Sequence, residues 1–219
     1  MNKKTAIVIG ATGLVGEQLV RQLLEDDRYG TVKVFHRRTT GISHPKLVET
    51  VIDFDSPEEW KHLITGDELY SALGTTLKAA GSKEAQYKVD YEYQFQVAKI
   101  ARENDVPRYA LVSSIGADAS SANFYTRIKG ELDNAVQNLG YIKTVIVRPS
   151  LLLGDRKEQR VGELLSEPIL KIVTKLPGLK KYAPIHVSKV ARAMINALNS
   201  NIEQSIFEGL KVHQLAESA

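Results

Sequence analysis

Apolar residues fall along this chain in short, nearly continuous runs that alternate with stretches of helical spacing. Thr5 to Gly10, Val32 to Phe35, Leu47 to Phe54, Glu68 to Leu73, Tyr109 to Ser113 and Ile142 to Val147 read as strands, apolar enough to be buried on both faces. Between them Leu14, Val15, Leu19, Leu23 and Leu24 recur at helical intervals, as do Tyr93, Val97, Ile100 and Ala101, and later Ile128, Leu132, Ala135, Val136 and Leu139. Strand, helix, strand repeated in this way predicts an α/β fold, a doubly wound parallel Rossmann sheet with helices on both faces. Beyond the sixth strand the pattern changes. Residues 155 to 181 set Asp155, Arg156, Lys157, Glu158, Arg160 and Glu163 ahead of an apolar stretch broken by Pro168 and Pro177-Gly178. We expect a small C-terminal substrate lobe contributed by residues 151–186, inside a single domain that spans 1–219. Val187 to Asn199 then predicts one more helix, and Ser205 to Glu208 a short edge strand.

Composition narrows the chemistry. With 43% hydrophobic and 25% charged residues over 219 positions the chain has a core to bury and a solvated surface, which excludes disorder. The net charge of +3 is spread without a basic block, so nucleic acid is not expected as a partner. No cysteine is present, which removes disulfides, thiolate metal sites and cysteine nucleophiles, and no metal is expected. Met1-Asn2-Lys3-Lys4 and the run from Thr5 to Gly16 resemble a signal peptide only superficially, because Gly10, Gly13, Gly16 and Glu17 interrupt it. No segment approaches the roughly 20 apolar residues of a membrane span. The expectation is a cytoplasmic protein without a membrane partner, with a homodimer left open.

Gly10-Ala11-Thr12-Gly13-Leu14-Val15-Gly16 lies where the first strand ends and the first helix begins. Glycines at this spacing suit a tight turn, close approach of backbone to a pyrophosphate, and close helix-on-strand packing, and helix N-terminal amides then face the anion. A nucleoside-triphosphate loop is disfavoured, since Glu17 stands where Lys-Ser/Thr would follow. An acid at the end of the second strand would accept hydrogen bonds from the ribose hydroxyls of NAD. Instead the strand ends Val34-Phe35-His36-Arg37-Arg38, and guanidinium groups pair well with a ribose 2′-phosphate. NADP(H) is therefore the expected cofactor.

Tyr125 and Lys129 stand four apart in a predicted helix, so both project from one face toward one ligand. A second pair of the same spacing, Tyr29 and Lys33, straddles a loop and the second strand and reads as accidental. Tyr125 follows the fifth strand, whose C-terminal end carries Ser113 and Ser114, and ligands of doubly wound sheets bind at that edge. A free tyrosine, with a pKa of about 10, is roughly three units too basic for proton transfer near neutrality, a gap worth about 4 kcal/mol. A neighbouring ammonium can close it by stabilising the phenolate, and a serine hydroxyl can hold a carbonyl oxygen.

The glycine loop, the serine pair and Tyr125-x-x-x-Lys129 together resemble the atypical short-chain dehydrogenase/reductases. Leu73-Gly74-Thr75-Thr76, Val89-Asp90, Val112 to Asp118, Arg148-Pro149 and Asp155 to Glu163 are similar to the Tat-interacting oxidoreductase-like subfamily, over nearly the whole chain. The resemblance implies NADPH at Gly10, Ala11, Thr12, Gly13, Leu14, Val15, Arg37, Gly74, Thr75, Thr76, Tyr125 and Lys129, with further contacts at Arg148, Pro149, Ser150 and Leu151. Arg38 joins Arg37 from the residue reading. The family serine corresponds to Ser113 or Ser114, with Ser113 favoured by its spacing to Gly116, and Asp90 stands where many longer relatives have Asn. Arg156 and Arg160 are expected at the substrate mouth, although alternating charges there also fit a solvated surface. The function these readings favour is NADPH-dependent reduction of a small carbonyl compound. Two others stand beside it: an NADPH-binding redox sensor, which needs the fold but neither Tyr125 nor Lys129, and an epimerase-like enzyme acting on a sugar nucleotide through the same triad.

Overall fold

The computed structural model describes residues 3–154 and 183–218. Its elements run β1 (Lys4–Ile9), α1 (Leu14–Glu25), β2 (Tyr29–His36), β3 (Leu47–Val51), α2 (Pro57–Trp60), β4 (Glu68–Ser71), α3 (Leu77–Ala80) and α4 (Lys83–Tyr87). A π-helical turn (Lys88–Glu92) leads into α5 (Tyr93–Glu103), followed by β5 (Arg108–Val112), α6 (Phe124–Gln137) and β6 (Lys143–Arg148). Short strands β7 (Leu152–Leu153) and β8 (Ile185–His186) precede α7 (Val187–Asn199), β9 (Ile206–Glu208) and α8 (Leu210–Glu217).

Seven strands form one sheet in the order β3-β2-β1-β4-β5-β6-β9, every pairing parallel. The order reverses between β1 and β4, so a crevice opens at the C-terminal ends of those strands. Alternate side chains of each strand enter opposite cores. Ala6, Val8, Val34 and Val145 pack with Leu19, Leu23, Val190, Met194 and Val212 of α1, α7 and α8. Ile7, Ile9, Leu69, Leu111 and Ile146 pack with Val97, Ala101, Leu132 and Val136 of α5 and α6. This is the doubly wound Rossmann architecture.

Several boundaries move. The third strand stops at Val51, short of Phe54, and Val48 and Val51 are exposed because β3 is the sheet edge, so this strand is not buried on both faces. The second strand begins at Tyr29. Tyr29 and Lys33 thus both lie in β2; the tyrosine is buried and the lysine ammonium donates to the Thr65 carbonyl at 2.9 Å. Helix α8 lacked a strong periodic signature in the sequence. Of the lobe, β7 and β8 pair in parallel; Asp155, Arg156, Glu158, Arg160 and Glu163 lie outside the described residues.

At the N-terminal end of β4, opposite the crevice, the Glu68 carboxylate is fully buried. It accepts hydrogen bonds from Tyr29 and Tyr70, each at 2.6 Å, and from Lys4 Nζ at 2.7 Å. Asn199 from the end of α7 donates to it at 3.3 Å and also reaches Lys4. Burial alone would push Glu68 up, but the Lys4 ammonium and the two phenols outweigh it and hold the carboxyl below its ordinary value.

Candidate functional site

The glycine loop is built by close contact. Gly10 adopts φ +81°, and a Cβ there would sit 2.4 Å from the Ala72 carbonyl carbon. A Cβ on Gly16 would sit 2.0 Å from the Gly10 carbonyl oxygen, so α1 can approach β1 only without a side chain. Gly13 caps α1 without a side-chain hydrogen bond to the first-turn amides, which suits an anion placed at that helix end. Gly16→Ala is expected to lower Tm by several degrees, since overpacking costs about 1–3 kcal/mol, and to weaken dinucleotide binding together with it. Thermal melts with and without NADPH check this.

A cavity of about 770 Å³ occupies the crevice, lined by Gly10, Thr12, Gly13, Arg37, Arg38, Gly74 and Thr75, among others. It also takes in Phe35, His36, Phe54 and Ala79. Ala11 and Val15 are buried in the core, so neither side chain lines the cavity; Leu14 packs against the same core. A second cavity of about 390 Å³ adjoins it at Thr75 and is lined by Thr76, Leu77, Lys83, Gln86, Asn123, Phe124 and Tyr125.

Tyr125 stands in the first turn of α6, which Asn123 caps through a 3.0 Å bond from the Thr126 amide. Its side chain is 42% exposed. One turn on, Lys129 is 5% exposed, and its Nζ lies 5.8 Å from the Tyr125 ring centroid and 3.4 Å from Asp90 Oδ1. Asp90 occupies the middle of the π-helical turn, a local widening common at functional sites. Its carboxylate accepts the Thr75 amide at 3.0 Å and Gln86 Nε2 at 3.1 Å. A Cβ on Gly74 would come within 3.1 Å of Asp90 Oδ1 and 3.8 Å of Lys129 Nζ. One buried acid therefore ties the loop after β4 to the lysine of α6.

Ser113 is buried and lies on the face of β5 shared by Tyr109 and Leu111, while Ser114 is partly exposed. The Ser113 hydroxyl approaches Asp133 without a well-formed hydrogen bond, and Asp133 Oδ1 is likewise unpaired. Asp133 continues the face of Tyr125 and Lys129 one turn further into the core. Burial pushes its carboxyl above the usual range, against the opposing pull of Ser113 and Arg148. Arg148 donates to Asp133 at 2.8 Å and lies 3.5 Å from Glu208, so its guanidinium is engaged within the core rather than lining either cavity. The Pro149 carbonyl accepts from Ile115 at 3.0 Å, and the Ser150 hydroxyl donates to the Ala183 carbonyl.

The acid Asp133 and the imidazole His36 are parts of this region to which the motifs assign no role, whereas Asp90, marked by the resemblance as standing where many longer relatives have Asn, holds Lys129. Asp133 could have been found by extending the four-residue step from Tyr125 and Lys129. His36 carries no such signal.

Residues 10–201 match the family described as NAD(P)H-binding. "Protein FMP52-1, mitochondrial" of Scheffersomyces stipitis is 33% identical, over 97% of this chain and 96% of that protein. "Protein FMP52, mitochondrial" of Candida albicans is 35% identical, over 90% and 89%. Among solved structures, the UDP-Glc/GlcNAc 4-epimerase of Campylobacter jejuni superposes with a TM-score of 0.70 at 14% identity, covering 96% of this chain and 82% of that one. The Bordetella bronchiseptica enzyme WbmH in complex with NAD+ gives a TM-score of 0.70 at 18% identity, over 94% and 75%. These likenesses show the fold. The fungal names correct the expectation of a cytoplasmic location, because those relatives are mitochondrial by name.

Proposed function

The chain belongs to the NAD(P)H-binding family, and from that premise we propose that it is an NADPH-dependent short-chain reductase that protonates the oxygen of a small carbonyl substrate from Tyr125. The carrying observation is Lys129, a nearly buried ammonium held between Asp90 and the Tyr125 ring beside the seam of the two cavities. The resemblance to the atypical short-chain dehydrogenase/reductases, and within them to the Tat-interacting oxidoreductase-like subfamily, supports the same assignment.

Gly10, Thr12, Gly13, Gly74 and Thr75 would hold the dinucleotide, with Arg37 and Arg38 at its 2′-phosphate. When bound, its nicotinamide supplies a hydride. Tyr125 gives its phenolic proton to the substrate oxygen, and the Lys129 ammonium stabilises the phenolate left behind. Asp90 fixes Lys129 by charge and hydrogen bonding. Ser113 or Ser114 polarises the carbonyl, with Ser114 the more exposed of the two. The cavity beside Tyr125, with Leu77 and Phe124 as apolar walls, suits a compact carbonyl compound.

The test is NADPH oxidation across aldehydes, ketones and quinones, run beside NADH. Turnover that prefers NADPH supports the reading. Tight NADPH binding without turnover would favour the sensing role instead. The double variant Arg37→Ala, Arg38→Ala is expected to erase most of the NADPH preference, since each charge-assisted contact is worth roughly 1.5–3 kcal/mol. An unchanged NADPH-to-NADH affinity ratio by titration would overturn the phosphate assignment.

A further inference from the structure

His36 ends β2, at the place where an acidic side chain would receive the ribose hydroxyls of an unphosphorylated dinucleotide. It is 4% exposed, lines the larger cavity beside Arg37 and Arg38, and neither ring nitrogen has a hydrogen-bond partner. A buried imidazole with both nitrogens idle is uncommon, because unpaired buried polar atoms cost stability. The near neighbour is Glu49 of β3, whose Oε1 lies 3.5 Å from His36 Nε2. Glu49 accepts bonds from the Thr40 amide at 2.8 Å and the Thr40 hydroxyl at 2.6 Å.

We propose that His36 is a third phosphate-reading group, which takes up a proton when the 2′-phosphate of NADPH docks at Arg37 and Arg38, so that cofactor discrimination depends on pH. The inference rests on the NADPH reading above and adds a proton to it.

The surroundings support this sign. Burial pushes the empty imidazole below its ordinary value, against a smaller opposing pull from Glu49. His36 is then neutral near pH 7, with Glu49 oriented by Thr40 as its counter-charge. A phosphate dianion entering the cavity adds negative charge beside the ring and an acceptor for its N–H groups, which favours the imidazolium. Among the described residues the other charged neighbours are few. Arg37 and Arg38 follow His36 just beyond the end of β2, and their positive charge disfavours a further cation beside them until phosphate neutralises them. Helix α1 packs on the Val34 face of β2, which His36 shares. Its first charged residue, Glu17, is exposed and paired with Arg21 at 3.0 Å. NADH lacks the phosphate and brings no such charge.

The experiment measures NADPH and NADH dissociation constants from pH 6 to 8.5, with the His36 imidazole followed by NMR in each state. The fragments 2′,5′-ADP and 5′-AMP serve as probes without a nicotinamide. A rise of one pKa unit on NADPH binding corresponds to an about tenfold fall in the NADPH-to-NADH affinity ratio across that range. We expect that fall in the native protein, and its loss in His36→Gln with the preference for NADPH at high pH retained. Glu49→Gln should move the fall to lower pH, and it keeps the test open if His36→Gln folds poorly. A ratio that is flat with pH, an imidazole that titrates alike with both cofactors, or a slope surviving in His36→Gln would overturn the inference while leaving NADPH use intact. Equal binding of NADPH and NADH at every pH, insensitive to Arg37→Ala, Arg38→Ala, would overturn both.

Discussion

Tyr125→Phe is expected to lower kcat by about 10²- to 10⁴-fold, the range contributed by a positioned general acid, with NADPH affinity nearly unchanged. The substitution removes one oxygen from a side chain that is 42% exposed, so neither the core nor the end of α6 is disturbed. Lys129→Ala should separate from it. That change removes the ammonium beside the phenol and leaves Asp90 buried without its cation, while Asp90 also holds the Thr75 amide at the cofactor cavity. Turnover and NADPH affinity should therefore fall together. Single-turnover kinetics with fluorescence titration of NADPH distinguishes the two patterns. A Tyr125→Phe protein with near-native kcat on a confirmed substrate would show that the proton comes from solvent.

The largest loss of stability is expected at Glu68→Ala. The carboxylate joins Lys4, Tyr29, Tyr70 and Asn199 across three strands and a helix end, and its removal takes the acceptor from two buried phenols and a half-buried ammonium. Breaking a buried ionic cluster in this way costs about 3–5 kcal/mol, which in a chain of this size is on the order of 6–20 °C in Tm. Acid should act through the same group. Because the folded carboxyl titrates below its unfolded value, its contribution is fully present above pH 4.5 and is lost as pH falls through the lower folded value. Glu68→Gln should flatten that part of the acid melting curve, as differential scanning calorimetry between pH 7 and 3 would record.

The parts of this architecture that could be read in the sequence are those with local cause. Glycines at 10, 13 and 16 between an apolar strand and an amphipathic helix admit few structures, and the contacts at Gly10 and Gly16 show why side chains are excluded there. Helix α7 follows from apolar spacing alone, with Val190, Ala191, Met194 and Leu198 all buried. What could not be read is what depends on a fold already formed. Arg148 ends an apolar strand and the family resemblance places it at the cofactor, yet Asp133, one turn beyond Lys129 on α6, draws it into the core. Leu47 to Phe54 has the composition of an interior strand, but its place beside β2, with no further strand beyond it among the described residues, makes it an edge. The role of Asp90 depends on the π-helical turn, which no residue type announces, and on the loop after β4 lying against it.

The cluster at Glu68 also constrains the order in which the chain can assemble. Lys4 meets Asn199 across 195 positions of sequence, and every strand pairing in the main sheet is parallel, so each must wait for a crossover to close. Such distant contacts slow folding because chain entropy is lost before they form. During synthesis β1 to β4 emerge first, carrying an acid and two phenols; Arg108 of β5, 3.8 Å from Glu68, follows, and Asn199 is supplied only when α7 leaves the ribosome. Until then the half-built sheet exposes apolar faces and open strand edges, the species most prone to aggregate. Ribosome-stalled chains ending before Asn199 should therefore be held by chaperones and cut readily by protease, with protection arriving late rather than growing strand by strand.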